Sequence, residues 1–261
     1  METTPLINLS SKVVLITGGY GHLGHEIVNG LLRHDATVYV LARTEDKFNK
    51  AFSSVDKSKL FFRHCDISSD QSIKDSIDGI HAETGRIDSF INNAFFIQGQ
   101  SPENMSDDDF NHGLDGTLTS TFRTIKSLIP IMKKQGYGKI INVSSMYGMV
   151  APDFSVYDNA PESLNPPHYG AAKAGVIQLT KYYAAYLGQH NINVNVVTPG
   201  AFPSQAVQAN TAFTEALKKK TALNRIGHPA ELGGIFVFLS SDAANYITGQ
   251  NFVIDGGWTI V

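Results

Sequence analysis

Residues 13–24 read Val13-Val14-Leu15-Ile16-Thr17-Gly18-Gly19-Tyr20-Gly21-His22-Leu23-Gly24. An apolar, β-branched run that predicts a buried strand passes directly into a glycine-rich turn, and a helix-forming segment follows. Glycine is needed where a tight turn brings bare backbone against a pyrophosphate, and the amino terminus of the next helix attracts that charge. The stretch predicts the opening βαβ unit of a nucleotide-binding sheet, although a glycine-rich turn is also compatible with a tight turn and nothing more.

The rest of the chain repeats this alternation of strand and helix. We predict strands at 13–16, 38–41, 60–62, 89–92, 139–143, 192–197 and 251–254, and helices at 22–33, 70–83, 107–134, 171–189 and 229–240. Several strands are continuous apolar runs, as expected of parallel strands covered on both faces. The pattern predicts an α/β protein with a doubly wound Rossmann fold, a seven-stranded parallel sheet and helices on both faces. Because no repeat or linker interrupts it, we expect one domain over residues 1–261.

The composition is that of an ordinary globular protein, with 42% hydrophobic and 17% charged residues among 261. A formal net charge of −3 and a sequence pI near 6.3 argue against nucleic acid or a membrane surface as a partner. Cys65 is the single cysteine, and its apolar surroundings favour a core thiol over a nucleophile. We expect a cytoplasmic protein, because residues 1–11 lack the features of a signal peptide and no apolar run is long enough to span a membrane.

Two segments break the alternation. Residues 146–168 contain four of the ten prolines and show no clear periodicity. Residues 200–228 begin after Pro199 and contain a short amphipathic helix at 211–220. Both would leave the carboxyl ends of strands, where open α/β sheets bind ligands. We therefore interpret 146–168 as an insertion beside the active site and 200–228 as a substrate lid.

The second predicted strand ends in Ala42-Arg43, near where Rossmann proteins place the residue that reads the adenosine ribose. No carboxylate stands there to hold a 2′-hydroxyl. Arg43 instead offers a planar guanidinium that suits a 2′-phosphate. We expect NADP(H) to be preferred, with NAD(H) possible; the alternative is an exposed arginine at a strand end.

Tyr169 and Lys173 stand four residues apart, ahead of a helix-forming run. A phenol has an ordinary pKa of about 10, and an ammonium one helical turn away lowers it. The pair could therefore move a proton near neutral pH. The spacing alone is weak, since such pairs also occur on helix surfaces by chance.

Further short motifs follow the later strands and helices. They are Asp66-Ile67, Asn92-Asn93-Ala94, Asn142-Val143-Ser144-Ser145, Pro199-Gly200, Arg225-Ile226-Gly227-His228-Pro229 with Glu231, Phe238-Leu239-Ser240-Ser241-Asp242, Thr248-Gly249-Gln250 and Asp255-Gly256-Gly257. In this order, and over nearly the whole length, the chain resembles the short-chain dehydrogenase/reductase family in its compact single-domain branch.

The resemblance implies an oxidoreductase and a role for each site residue. Tyr169 would be the general acid for ketone reduction and the base for alcohol oxidation, Lys173 would lower its pKa and hold the nicotinamide ribose, and Ser145 would donate to the reacting oxygen. The implied cofactor contacts are Gly18, Tyr20, Gly21, His22, Leu23, Gly24, Arg43, Asp66, Ile67, Asn93, Ala94, Tyr169, Lys173, Pro199, Gly200, Phe202 and Ser204. A homotetramer or homodimer is implied as well, and no histidine spacing predicts a metal site.

Four features depart from the family pattern. The glycine turn has the spacing of the extended branch, with a histidine at the usual middle glycine. Thr117 aligns with the family's helix asparagine, a member of its proton relay, and we assign it a catalytic position. Phe95 follows Asn-Asn-Ala where a glycine is frequent. Ser145 and Tyr169 are 24 positions apart, about twice the usual gap in the family. Ser144 is therefore an alternative for the catalytic serine, although Ser145 aligns better with the family pattern.

The insertion carries the question of the substrate. It mixes aromatic rings with Asn159 and acidic side chains, which suits a polyhydroxylated ligand; the alternatives are a solvated loop or an oligomer contact. The segment is similar to family members of bacterial surface-sugar pathways, the nonulosonic-acid and flagellin-modification type, and to sugar-acid dehydrogenases. We expect substrate contacts from Ser145, Tyr147, His168 and Phe95.

The predicted reaction is therefore the interconversion of a ketone and a secondary alcohol on a sugar-like small molecule. Two alternatives stay open. One is a reductase of 3-oxoacyl thioesters or other non-sugar carbonyls, and the other is a non-catalytic NADP-binding sensor or scaffold.

Overall fold

The sheet contains seven strands within residues 7–99, 101–158 and 160–261, which are those that the structure, a computed structural model, describes. The strands are β1 (Val13–Thr17), β2 (Thr37–Ala42), β3 (Leu60–His64), β4 (Ser89–Asn92), β5 (Gly138–Val143), β6 (Ile192–Pro199) and β7 (Asn251–Ile254). Their order is β3-β2-β1-β4-β5-β6-β7, and every neighbouring pair is parallel. The predicted doubly wound sheet is confirmed. Asn159 and residues 1–6 lie outside the described part of the chain.

Helices connect the strands on both faces. They are α1 (His22–Arg33), α2 (Glu45–Ala51), α3 (Asp70–Thr84), α4 (Asp107–Leu114), α5 (Ser120–Gln135), α6 (Pro167–Leu187), α7 (Gln205–Gln208), α8 (Thr211–Lys219) and α9 (Ala230–Ser240). The prediction missed α2 and α7, which are too short to show a clear period. It also began α6 four residues late, because proline is accepted in the first helical turn. As a result, Tyr169 and Lys173 both lie on α6.

The predicted helix 107–134 is divided in the structure. A five-residue π-helical segment, Asp115–Thr119, lies between α4 and α5. Such segments add a residue to one turn and occur frequently at functional sites. A Cβ on Gly116 would lie 2.3 Å from the carbonyl oxygen of Phe96. The absence of a side chain therefore lets this turn pack directly against the chain after β4.

Two hydrophobic cores flank the sheet. On one face, Val14 and Ile16 of β1 pack with Ile27 of α1 and Phe236 of α9. On the other face, Leu15 packs with apolar side chains of α3, α5 and α6. Both faces of β1 are covered, and all five of its residues are buried. This explains why the strand reads as a continuous apolar run.

A third hydrophobic cluster joins the insertion to the predicted lid. Tyr147 and Tyr157 of the insertion pack with Phe213 of α8 and with Trp258 near the carboxyl terminus. Asp153 of the insertion also forms an ion pair with Lys220, directly after α8. The insertion is therefore a packed element rather than a solvated loop.

In the described part of the chain, no helix combines the length and the apolar character that crossing a bilayer requires.

Candidate active site

A crevice opens where the strand order reverses, between β1 and β4. The hydroxyl oxygen of Thr17 accepts hydrogen bonds from the backbone nitrogens of Asn93 and Ala94, both at 3.0 Å. The side-chain nitrogen of Asn93 donates to the carbonyl oxygens of Thr17 and Gly18, at 3.0 and 3.2 Å. These bonds fix the ends of β1 and β4 together at the point where open α/β sheets bind ligands.

The glycine turn leaves no room for side chains at two positions. Gly18 has a φ of +65°, and a Cβ on Gly24 would lie 2.4 Å from the carbonyl oxygen of Gly18. Gly21 precedes α1 without a side-chain cap, so the first N–H groups of the helix are suited to an anion. The exposed His22 ring lies 3.0 Å from the carbonyl oxygen of Phe202 and links the turn to the loop after β6.

Two charged side chains line the crevice beyond the ends of β2 and β3. Arg43 is exposed directly after β2. Asp66 follows β3, and its carboxylate accepts from the backbone nitrogen and the hydroxyl of Ser68 at 2.9 and 2.8 Å. These bonds, with a smaller effect of Arg43, hold the pKa of Asp66 below its usual value. Asp66 is therefore an anion at neutral pH, while the guanidinium of Arg43 is open to a ligand.

Ser145, Tyr169 and Lys173 line the same crevice. The hydroxyl of Ser145 is close enough to the phenol of Tyr169 to lower its pKa. The side-chain nitrogen of Lys173 donates to the carbonyl oxygen of Val143 at 2.8 Å. Ser144, by contrast, donates its hydroxyl to the carbonyl oxygen of Lys173 at 2.8 Å. This geometry favours Ser145 over Ser144 as the serine beside the reacting oxygen.

Burial controls the ionisation of Tyr169 and Lys173. It raises the pKa of the Tyr169 phenol, against a smaller lowering effect of the Ser145 hydroxyl. It also lowers the pKa of the Lys173 ammonium to about 7. The net effect on the pKa of Tyr169 is thus upward, and the lowering effect expected of Lys173 stays a prediction. At neutral pH the phenol keeps its proton, as a general acid requires.

The cleft formed by these elements has a volume of about 620 Å³. The predicted residues that line it are Gly18, Tyr20, Gly21, His22, Leu23, Gly24, Arg43, Asp66, Ile67, Asn93, Ala94, Phe95, Ser145, Tyr169, Lys173, Pro199, Gly200 and Phe202. Uncapped amides at one helix, a guanidinium and a proton donor are a donor set that fits a phosphorylated dinucleotide. In the described residues no group of three or more His, Cys, Asp or Glu side chains is arranged to hold a metal.

A family model described as Enoyl-(Acyl carrier protein) reductase matches residues 21–259, which include the whole serine, tyrosine and lysine arrangement. The chain belongs to the short-chain dehydrogenase/reductase family.

Individual relatives agree over the full length. A cyclopentanol dehydrogenase of a Comamonas species is 31% identical over 257 residues, covering 96% of this chain and 98% of the relative. A Leptospira borgpetersenii short-chain dehydrogenase with bound NAD⁺ has a TM-score of 0.86 at 32% identity, covering 100% and 97% of the two chains. A Burkholderia cenocepacia gluconate 5-dehydrogenase in complex with NADP and tartrate has a TM-score of 0.86 at 28% identity, covering 98% of each. This short-chain dehydrogenase/reductase is thus an oxidoreductase that acts on alcohol and ketone groups.

Thr117 does not line the cleft of this short-chain dehydrogenase/reductase. It is 2% exposed in the π-helical segment, and its hydroxyl has no hydrogen-bond partner among the described residues. Its carbonyl oxygen accepts from the hydroxyls of Thr121 and Ser120, at 2.8 and 3.2 Å. Since no hydrogen bond in the described chain joins Thr117 to Tyr169 or Lys173, its catalytic role stays a prediction.

Three further predicted contacts, His168, Ser204 and Tyr147, also lie outside the cleft lining. Tyr147 is 8% exposed and packs in the third hydrophobic cluster. His168 is fully buried, and its Nε2 donates to the carbonyl oxygen of Gln98 at 2.8 Å. Its ring fills the space beside Gly113, where a Cβ would lie 2.1 Å from Nδ1. The prediction that His168 faces the substrate is wrong in this structure, because a glycine on α4 admits the ring into the helix packing. The side-chain oxygen of Ser204 accepts a hydrogen bond from the backbone nitrogen of Val207 at 3.4 Å. Ser204 therefore caps α7 instead of lining the cleft.

Sequence reasoning also missed part of the cleft wall, namely Leu41, Ala42, Cys65, Ser68, Phe96, His112, Val143 and Ser144. The rings of Phe96 and His112 are in contact, with centres 4.7 Å apart. No local pattern connects them, since their contact depends on the close approach of the π-helical segment to the chain after β4. Burial raises the pKa of the Cys65 thiol, which agrees with an unreactive core cysteine.

Proposed function

We propose that this protein is an NADP(H)-dependent oxidoreductase that interconverts a ketone and a secondary alcohol on a polar, sugar-like small molecule. The observation that carries the proposal is the convergence of Ser145, Tyr169 and Lys173 on a cleft that also contains the glycine turn and its uncapped amides. A proton donor and a site for a phosphorylated cofactor thus share one cavity.

The three side chains have distinct roles in the proposed reaction. A bound nicotinamide would supply or accept the hydride at the substrate carbon, which no side chain can do. Tyr169 gives its proton to the ketone oxygen and takes it back during alcohol oxidation. Ser145 donates a hydrogen bond to the same oxygen, where negative charge develops. Lys173, with its pKa near 7, is partly charged at neutral pH and favours the phenolate left after proton transfer.

Arg43 supports the preference for NADP(H). Its exposed guanidinium lies at the end of β2, where it would pair with a 2′-phosphate, and the glycine turn would hold the pyrophosphate. Among the relatives, the Burkholderia enzyme is described with NADP and the Leptospira enzyme with NAD⁺. The proposal for this chain therefore rests on Arg43 rather than on the relatives.

Polar groups near the reacting phenol support a substrate that carries further hydroxyls. Burial is the main cause of the raised pKa values of Tyr169 and Tyr147. Smaller repulsions, of Tyr157 on Tyr169 and of Tyr169 on Tyr147, show that the three phenols lie within electrostatic range of each other. The Burkholderia relative is a gluconate 5-dehydrogenase. Both observations favour a hydroxylated acid over a plain hydrocarbon ketone.

A 3-oxoacyl thioester reductase is the second candidate, because two relatives that are 30% and 31% identical to the chain are 3-oxoacyl-[acyl-carrier-protein] reductases. It requires an apolar channel beneath the lid. Phe213 and Leu217, the large apolar side chains of α8, are instead packed into the third hydrophobic cluster. The non-catalytic sensor is disfavoured, because Ser145, Tyr169 and Lys173 are all present and adjacent.

We propose further that the protein forms a homodimer or homotetramer through α5 and α6. Phe122 on α5 and Tyr182 and Tyr186 on α6 are 41%, 64% and 46% exposed. Exposed aromatic patches are typical of interfaces, and closed symmetric assemblies are common. Light scattering should give a dimer or tetramer mass that Tyr182→Glu reduces; a monomeric wild type contradicts this proposal.

The substrate class is tested by NADPH oxidation with three carbonyl compounds: 5-oxogluconate, acetoacetyl thioester and cyclopentanone. We expect the highest kcat/KM for the hydroxylated oxo acid. Turnover of the thioester without the oxo acid would establish the second candidate. NADPH binding without turnover of any carbonyl compound would support the sensor.

A further inference from the structure

Three side chains of the insertion form a directional hydrogen-bond chain. The side-chain nitrogen of Asn165 donates to the hydroxyl oxygen of Tyr157 at 2.9 Å, and the Tyr157 hydroxyl donates to that of Tyr147 at 2.8 Å. Accepting from Asn165 leaves the Tyr157 proton free, and it is donated to the Tyr147 oxygen. The Tyr147 oxygen then accepts one bond and keeps its proton. No other acceptor for that proton is found in the described chain.

Packing fixes the position of this hydrogen-bond chain. Tyr147 and Tyr157 are 8% and 5% exposed. The Tyr157 ring lies 5.7 Å from the Phe213 ring, and the Tyr147 ring meets Trp258 edge-on at 6.5 Å. Neither phenol can turn into solvent without breaking the third hydrophobic cluster.

The Tyr147 phenol lies within electrostatic range of the Tyr169 phenol, so the free end of the chain is near the reacting groups. The backbone nitrogen of Tyr147 donates to the hydroxyl oxygen of Ser145 at 3.3 Å. A Cβ on Gly170 would lie 2.8 Å from the carbonyl oxygen of Tyr147, so this glycine lets Tyr147 approach α6 next to Tyr169. Burial raises the pKa of the Tyr147 phenol far above neutrality, so its hydroxyl is a neutral donor at every physiological pH.

We propose that Tyr147 is a specificity-determining residue that donates its proton to a substrate oxygen near the reacting carbon, and that Tyr157 and Asn165 are positioning residues that direct this donor. The inference rests on the proposed function, since it names the group of the polar substrate that is recognised. A buried donor without a partner disfavours a substrate that lacks the oxygen, and sites of this kind reject such analogues strongly.

The test uses the purified full chain with NADPH and two ketones that differ by one hydroxyl, cyclohexanone and 2-hydroxycyclohexanone. We expect wild type to prefer the hydroxylated ketone. Tyr147→Phe should lower kcat/KM for that ketone by roughly 10- to 100-fold, the effect of losing one good hydrogen bond to substrate, and change the plain ketone by less than about threefold. Tyr157→Phe should reduce the same ratio less, because it removes only the directing bond.

Tyr246→Phe is the matched control, since Tyr246 is fully exposed, and it should leave the ratio unchanged. Equal losses for both ketones in Tyr147→Phe would assign Tyr147 a purely structural role and overturn the inference. So would a wild type without preference for the hydroxylated ketone, or an unchanged ratio in both tyrosine variants of the insertion. If wild type reduces neither ketone, the proposed function itself fails. A thermal unfolding midpoint close to that of wild type identifies variants that fold. If Tyr147→Phe does not fold, the ratio measured for Tyr157→Phe tests the inference.

Discussion

The side-chain nitrogen of Lys173 lies 5.0 Å from the centre of the Phe95 ring, within the range of a cation–π interaction. Burial lowers the pKa of Lys173 to about 7, and the face of the ring opposes this by favouring the charged form. Lys173 therefore carries its charge below pH 7 and loses it as the pH rises. Phe95, which replaces a glycine frequent in the family, thus helps to set the ionisation of a catalytic group.

Phe95→Leu should lower the pKa of Lys173, because the ring no longer favours the charged form. The decline in activity that follows loss of the Lys173 charge should therefore begin at lower pH. A cation–π interaction contributes about 0.5–1 kcal/mol, which corresponds to roughly half a pH unit. The measurement is kcat/KM for ketone reduction from pH 5.5 to 9. Phe61→Leu is the matched control, since Phe61 is an exposed ring on β3 that lies outside the cleft lining. If the pH profile of Phe95→Leu is identical to that of wild type, Phe95 does not affect the ionisation of Lys173.

Arg43→Asp should reverse the cofactor preference. The change removes a guanidinium suited to a 2′-phosphate and adds a carboxylate that accepts from a 2′-hydroxyl. We expect the ratio of kcat/KM for NADPH over NADH to fall by roughly 10- to 100-fold, as for loss of one charge-assisted hydrogen bond. Arg33→Asp, at the exposed end of α1, makes the same charge change outside the cleft. An unaltered ratio in Arg43→Asp would remove the basis for NADP(H).

Gly113→Ala should destabilise the protein, because the new methyl would meet the buried His168 ring at 2.1–2.4 Å. Overpacking of this kind costs about 1–3 kcal/mol. Gly79→Ala on α3 is the control: the nearest atom to its Cβ is a side-chain nitrogen at 3.7 Å, and alanine is favoured in helices by about 0.5–1 kcal/mol. Urea unfolding should therefore show a lower free energy of unfolding for Gly113→Ala and a higher one for Gly79→Ala. Stabilisation by Gly113→Ala would show that the packing of His168 is not as described.

Lys139→Met should stabilise the protein near neutral pH. Lys139 is 7% exposed on β5, its nitrogen has no hydrogen-bond partner among the described residues, and burial lowers its pKa to about 8. A lowered lysine pKa means that the unfolded chain binds more protons between pH 8 and about 10.4, so wild-type stability rises with pH over that range. The gain from methionine, about 1–3 kcal/mol, should thus be largest below pH 8 and shrink above it.

Urea unfolding at pH 7 and pH 10 measures this difference. Lys47→Met on the exposed surface of α2 is the matched control and should change stability little at either pH. A gain of equal size at both values would mean that the charge of Lys139 is not what destabilises the fold.

The sheet was predictable because its information is local. β1 is apolar and fully buried, and it leads directly into the glycine turn, so strand, turn and helix α1 can be read from one stretch. Tyr169 and Lys173 were predictable for the same reason, since one helical turn separates them. Their ionisation was not, because it depends on burial by segments distant in sequence.

The insertion could not be predicted, because its stability comes from long-range contacts. Tyr157 of the insertion packs on Phe213 of α8. The helical turns of the insertion are too short to show a hydrophobic period. The position of His168 likewise depends on the missing side chain of Gly113 on another helix. Contacts of this kind leave no pattern in either segment alone.

The most direct test of the account is the rate of ketone reduction by Tyr169→Phe with saturating NADPH. Removal of the proton donor should lower kcat by roughly 10²- to 10⁴-fold, the usual contribution of general acid catalysis, while NADPH still binds as followed by its fluorescence. Tyr246→Phe should retain full activity. If Tyr169→Phe binds NADPH and reduces the ketone at the wild-type rate, then Tyr169 is not the acid–base group and the proposed mechanism is wrong.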